Sequence, residues 1–212
     1  MKQILAFGDS NTYGYKPDGT GRFGWGVRWT SILSEKLNDQ GSEEEIRVIE
    51  EGLVGRTTVF DDPLRKGRNG AELLPVILET HRPLDAVIVM LGTNDCKTVY
   101  GASPAVIGKG IEVLIKQIRE YSPSSRILLV SPIELGEKVY EPGFDQEFSP
   151  SSVAVSKKLG DVYKEIAESY KVDFLKGSDY ARPSEIDREH LDEEGHKKIS
   201  EGIYCKLKEI DI

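Results

Sequence analysis

A run without a polar side chain, Ala86-Val87-Ile88-Val89-Met90-Leu91, constrains the fold more than any other stretch of this sequence. A strand with one face in water alternates apolar and polar residues, whereas a strand covered on both faces is apolar throughout. Shorter apolar runs accompany it at Ile4–Phe7, Ile46–Ile49 and Ile127–Val130, with a weaker one at Val172–Leu175. Between them Ile107, Ile111, Leu114, Ile115 and Ile118 recur at helical spacing, as do Val155, Leu159, Val162 and Ile166, then Ile199, Ile203, Leu207 and Ile210. These stripes read as core-facing helix sides. Helices are expected near 25–39, 70–80, 103–121, 151–170 and 192–210, with Ser103-Pro104 as a cap followed by proline at the first helical position. Strict alternation of strand and helix implies parallel strands joined by right-handed crossovers. The expectation is one α/β domain over 1–212, a three-layer α/β/α arrangement with a parallel sheet in the middle.

The length of 212 residues suits one substantial core and is short for two. With 38% hydrophobic and 30% charged residues, the composition is that of an ordinary globular protein. A net charge of −8 argues against nucleic acid or an anionic membrane as the main partner, because both require basic patches. The two cysteines, Cys96 and Cys205, match no metal or redox spacing and are read as reduced thiols. The chain opens on a core strand rather than a signal peptide, and no apolar run approaches the length of a membrane span, so a cytoplasmic location is the default expectation. Two segments fall outside the alternation: 16–25, rich in glycine and aromatics, and 132–150, with prolines, Tyr140, Phe144 and Phe148. Loops of that length are usually functional or involved in assembly, so 132–150 is expected near a site or at an interface between copies. The acidic run Glu43-Glu44-Glu45 reads as a solvated edge before the second strand.

The first apolar run stops at Gly8, and Asp9-Ser10-Asn11 follow at once. This places a hydroxyl at the carboxyl edge of the sheet, where open α/β folds bind ligands. A serine after a strand is ordinarily a helix N-cap, so Ser10 acquires meaning only through partners. Of the three histidines, His81 lies at a helix end, where a cationic or capping role suffices, and His196 is read as a surface side chain within the last helix. His190 sits in Asp187-Arg188-Glu189-His190-Leu191, an irregular stretch in which Asp187 can orient the imidazole. Asn94, in Gly92-Thr93-Asn94-Asp95, follows the most apolar strand and can donate to a developing oxyanion, though Asn-Asp is also ordinary turn chemistry. Gly55 can bring a backbone N–H to substrate with no side chain in the way. No G-x-S-x-G elbow occurs, so a nucleophile would have to be presented differently.

Together Gly8-Asp9-Ser10, Gly55, Gly92-Thr93-Asn94-Asp95 and Asp187-x-x-His190 resemble the four motif blocks of the SGNH (GDSL-type) hydrolases. The likeness extends to the bacterial arylesterase/acyltransferase branch through Val27-Arg28-Trp29-Thr30, Val48-Ile49-Glu50-Glu51-Gly52-Leu53, Arg56-Thr57-Thr58, Asp61-Asp62-Pro63 and Met90-Leu91. It covers essentially the whole chain and is weakest at 132–150. The resemblance implies a five-stranded parallel sheet in the order 2-1-3-4-5, Ser10 as nucleophile, His190 as general base and Asp187 as its orienting partner. It implies an oxyanion hole from the N–H groups of Ser10 and Gly55 and the Asn94 side chain. It implies short acyl esters as substrates, acyl transfer to alcohols or peroxide in some members, homo-oligomers in some, and neither metal nor organic cofactor.

The chain departs from the pattern at Asn11, where leucine is expected, and at Tyr15, where the branch resembles tryptophan. Both are expected to line the substrate pocket. Two rival readings remain. Gly19-Thr20-Gly21-Arg22-Phe23-Gly24 formally matches the dinucleotide fingerprint with Glu50 or Glu51 as the ribose acid, but it lacks the required strand-to-helix context. A catalytically silent hydrolase fold used for binding is opposed by the intact set of candidate residues.

Overall fold

The computed structural model describes residues 1–39 and 44–212. Strand β1 (Lys2–Gly8) buries every side chain from Ile4 to Phe7. Because successive residues of a strand point to opposite faces, Ile4 and Ala6 join one core and Leu5 and Phe7 the other. The remaining strands are β2 (Ile46–Gly52), β3 (Ala86–Met90), β4 (Arg126–Ser131) and β5 (Asp173–Lys176). They form a five-stranded, all-parallel sheet in the order β2-β1-β3-β4-β5. Each apolar run of the sequence lies in its expected strand, and β3 is buried along its whole length.

Helices cover both faces. Against Leu5, Phe7, Val87 and Val89 pack α3 (Gly70–His81), α4 (Pro104–Tyr121) and α5 (Pro150–Tyr170), through Leu78, Ile111 and Leu159 among others. Against Ile4, Ala6, Ile88 and Met90 pack α2 (Trp29–Leu37) and α6 (Glu193–Glu209), through Trp29, Leu33, Ile199 and Ile203. The expected helix at 25–39 begins only at Trp29, because Arg28 is extended (φ −65°, ψ 140°) and its guanidinium reaches out to Glu50 and to the Phe23 carbonyl. A short helix α1 (Ser10–Tyr13) directly follows β1. Among the described residues no helix is long and apolar enough to cross a membrane. Of the acidic run, Glu43 lies outside the described residues, and Glu44 meets the N-terminal amine at 2.9 Å.

Strands β1, β2 and β3 end level. Gly8 is registered on Gly52 and on Met90, so the three following turns emerge side by side at one edge. This is also where the strand order reverses, between β2 and β3 on either side of β1. Gly8 itself admits no larger residue, since a Cβ there would stand 2.0 Å from Thr12 Oγ1 and 2.8 Å from the Met90 carbonyl. The Gly19–Gly24 segment is no strand-to-helix turn. It forms a loop closed by an antiparallel bridge between Tyr15 and Arg22, while Glu50 is bound by Arg28, Arg22 and Thr30, so the geometry of a dinucleotide site is lacking.

His196, expected at the surface, is fully buried between α6 and α2. Its Nδ1 accepts the Trp29 N–H at 3.3 Å, and its ring meets the Phe23 ring edge-on at 5.4 Å. The position lies on the inward stripe with Ile199 and Ile203, where a polar side chain is compatible with burial only because Trp29 supplies a donor. Burial, the main cause, pushes its pKa down to about 3. Unfolded histidine titrates near 6.5, so the contribution of His196 to stability is complete above pH 6.5 and is lost as pH falls toward 3. Unfolding free energy should therefore drop below pH 6.5 by up to about 1.4 kcal/mol per pH unit from this group. In urea titrations between pH 7.5 and 4.5, His196→Gln should show a shallower decline than the wild type; parallel curves would contradict the assignment.

Candidate active site

Residues 8–14 make the turn that displays Ser10. The Asp9 side chain caps α1 by accepting the Asn11 N–H at 3.0 Å, so Ser10 is the first helical residue and not the cap. Its hydroxyl is thereby left free of the capping role that a serine after a strand usually plays. Asp9 is completely enclosed, and burial, opposed first by the Asn11 N–H, pushes its pKa up to about 7.

The segment before α6 brings the other partners. Asp187 Oδ1 accepts the N–H groups of Glu189 at 3.0 Å and His190 at 2.9 Å, which folds the segment into a tight turn with Arg188 at φ +61°. The other oxygen, Oδ2, lies 2.6 Å from His190 Nδ1. An ionised carboxylate only accepts, so Nδ1 carries the proton and Nε2 presents its lone pair. Ser10 Oγ lies 2.9 Å from that Nε2. Burial is the largest influence on His190 and lowers its pKa, but Glu189, Asp187 and Asp9 together overcome it and leave the pKa above 6.5.

Two further turns complete the edge. Gly55 adopts φ +82°, a left-handed conformation that glycine enters without strain, and a Cβ there would meet the Arg65 guanidinium at 2.7 Å. Asn94 Nδ2 donates to the Arg56 carbonyl at 3.1 Å, which fixes the carboxamide and leaves its second N–H available. The backbone N–H groups of Ser10 and Gly55 have no hydrogen-bond partner among the described residues. Ser10, Gly55, Asn94, Asp187 and His190 all line one open cleft of about 420 Å³, with Tyr15, Arg65, Lys97, Phe144, Asp145, Glu147 and Glu189. Such a set can deprotonate a hydroxyl and hold an oxyanion.

Tyr15 lines the cleft, its ring 4.8 Å from that of His190. Asn11 does not. Its Oδ1 accepts the buried Leu191 N–H at 2.8 Å, and it faces Met90, Thr93, Ile133 and Leu191 behind the cleft. The expectation that Asn11 lines the substrate pocket is corrected: its polarity serves a main-chain group that leucine could not satisfy, and so ties α1 to the His190 turn. In the 132–150 segment Phe144 reaches the cleft, whereas Phe148 is buried in the core.

Several residues hold the edge together. Arg56 Nη1 donates to the Gly8 carbonyl at 2.9 Å and to the Glu51 carbonyl, with the guanidinium 4.2 Å from the Phe7 ring centroid. Burial pulls its pKa down to about 10. Asp95 accepts from the Thr58 N–H at 3.0 and 3.1 Å and from its hydroxyl, which binds the Asn94 turn to the Gly55 turn. Burial, opposed by Thr58, raises Asp95 to about 6. Arg65, Lys97 and Glu189 also line the cleft, and of these only Glu189, adjacent to His190, carries a signal in the sequence.

The sequence profile of the GDSL-like lipase/acylhydrolase family matches residues 6–198. The chain belongs to that family. Among solved structures, the aryl esterase of M. smegmatis is 34% identical, with a TM-score of 0.90 and coverage of 99% of each chain. A carbohydrate acetylesterase family member from Sinorhizobium meliloti is 34% identical, with a TM-score of 0.88 and the same coverage. A putative arylesterase from Agrobacterium tumefaciens str. C58 is 31% identical, with a TM-score of 0.87, covering 99% of this chain and 100% of its own. A comparison with curated protein sequences gave no match. The sheet order and the family are those expected of an SGNH hydrolase.

The role of Asn11 is open to measurement. Asn11→Ala leaves the buried Leu191 N–H without an acceptor and should lower unfolding free energy by about 1–3 kcal/mol. Unchanged stability in chemical denaturation, combined with altered ester selectivity, would instead return Asn11 to the pocket wall.

Proposed function

We propose that the protein is a carboxylic-ester hydrolase that cleaves short-chain acyl esters through an acyl-serine intermediate at Ser10. The observation that carries this reading is the continuous relay from Ser10 Oγ through His190 to Asp187, at 2.9 and 2.6 Å, opening onto the cleft. As Oγ adds to the ester carbonyl, His190 Nε2 takes its proton, and Asp187 stabilises the imidazolium that forms. The carbonyl oxygen becomes an oxyanion that accepts from the N–H groups of Ser10 and Gly55 and from Asn94 Nδ2. Collapse of the tetrahedral intermediate breaks the ester C–O bond, and the departing alcohol takes the proton from His190. Water then adds to the acyl-serine, gives a proton to His190 and releases the carboxylic acid, while Oγ regains its proton. No step calls on a metal or an organic cofactor.

The short acyl group is supported by the polar and charged lining of the cleft around the oxyanion donors, where the Arg65 guanidinium stands beside Gly55. The name carbohydrate acetylesterase, carried by a similar structure, supports an ester with a small acyl part. An alcohol or peroxide in the position of the attacking water would receive the acyl group by the same route, so transfer and hydrolysis compete for one intermediate.

With 4-nitrophenyl acetate, Ser10→Ala should lose several orders of magnitude in kcat. Asn94→Ala should lose roughly 10²–10³-fold, the usual cost of one oxyanion donor. Turnover retained in Ser10→Ala would sink the proposal. The base must be neutral to accept a proton, and its pKa is raised, so kcat/KM should be full at high pH and fall as pH drops through an inflection above 6.5. A flat profile from pH 5 to 8 would be incompatible with His190 as base.

A further inference from the structure

Glu189 stands next to His190 in sequence and in space, and the relay does not use it. Its side chain is 8% exposed and lines the cleft, with Oε1 at 3.8 Å from His190 Nε2. Among the described residues no N–H or O–H donates to its carboxyl. Lys97, a cation of the same cleft, is already engaged by Glu147 and lies 3.9 Å from Asp145. Its carboxyl opens onto the cleft, where an entering group can donate to it. Natural buried polar groups generally have partners, and a polar group left open at a cleft is satisfied by what enters the cleft.

The geometry says which part of an ester that is. His190 Nε2 hands its proton to the leaving oxygen, so that oxygen docks against Nε2. Oε1 of Glu189 shares the neighbourhood of the same nitrogen. A hydroxyl on the carbon adjacent to the ester-bearing carbon is carried within reach of Oε1, whereas an aryl or plain alkyl leaving group offers no donor there. An anionic leaving group would meet Glu189, Asp145 and Glu147, and a cationic one would meet Lys97 and Arg65. A neutral hydroxyl fits both conditions.

Building on the esterase reading of the site, we infer that Glu189 is a specificity-determining residue that accepts a hydrogen bond from a hydroxyl vicinal to the ester oxygen, making short acyl esters of diols and polyols the preferred substrates. In the reverse sense, the same contact seats a diol as acyl acceptor.

The test compares 2-hydroxyethyl acetate with propyl acetate, which share the acyl group and nearly the same size. The wild type should favour the hydroxylated ester in kcat/KM, and Glu189→Leu should lower that ratio roughly tenfold or more, the scale of a hydrogen bond to a charged acceptor. Glu189→Gln, which keeps an acceptor oxygen, should retain part of the preference. If circular dichroism shows Glu189→Leu unfolded, Glu189→Gln decides, and its ratio must fall several-fold. A ratio unchanged in the folded variants, or no preference in the wild type, overturns the inference and leaves the esterase reading standing. Failure of the wild type to hydrolyse either ester, together with no labelling of Ser10 by a fluorophosphonate, overturns both.

Discussion

Parallel pairing that brings β1, β2 and β3 to a common end is the constraint on which the rest of the molecule depends. With Gly8 level with both Gly52 and Met90, the turns carrying Ser10, Gly55 and Asn94 emerge as neighbours although they lie far apart in the chain. A slip of one residue would exchange Ile4 and Ala6 for Leu5 and Phe7 between two apolar layers, so the register is fixed by side-chain fit and by Gly8, whose neighbours leave no room for a Cβ. Arg56 and Asp95 then act as rivets, the first joining the ends of β1 and β2, the second joining the Asn94 and Gly55 turns. Rigid strand ends held in this way suit a site that must keep its donors in place before charge develops.

The site is built from carboxyls more than from cations. Asp9, Asp95 and Glu189 are all enclosed, and burial raises each of them. Asp9 and Glu189 face His190 together with Asp187, and their combined field outweighs the desolvation that would otherwise lower the imidazole. An imidazole held this way is a stronger base and a better reservoir for a proton in transit, at the expense of activity in acid. Of the basic groups of the cleft, Lys97 is engaged by Glu147, and Arg65 binds Asp62 through Nε at 3.1 Å while its Nη2 has no partner among the described residues. Glu189 and Asp187 are thus the two carboxyls that line the cleft beside His190.

Much of this was legible from residue order. The unbroken apolar run at 86–91, the helical stripes and their alternation led directly to a covered parallel sheet, and the blocks around Ser10, Gly55, Asn94 and Asp187-x-x-His190 named the groups that meet in the cleft. Asn11 and His196 depart from the pattern of residue order for a common reason. Each is polar in a neighbourhood where only long-range packing supplies its partner: Leu191 N–H for the first, Trp29 N–H for the second. Periodicity records which face a residue occupies; it does not record which main-chain groups from distant segments need an acceptor there.

The sequence by itself determined the class of fold, the strand order through its resemblance, and the chemical kinds of the site residues, because local hydrophobic period and turn chemistry depend on neighbours in the chain. Only the tertiary structure decided which polar residues face substrate and which serve the scaffold. It turned Asn11 away from the cleft, buried His196, and set Arg65, Lys97 and Glu189 around Ser10. Those outcomes depend on distances between segments brought together by folding, and side-chain desolvation and hydrogen bonding act only across such distances.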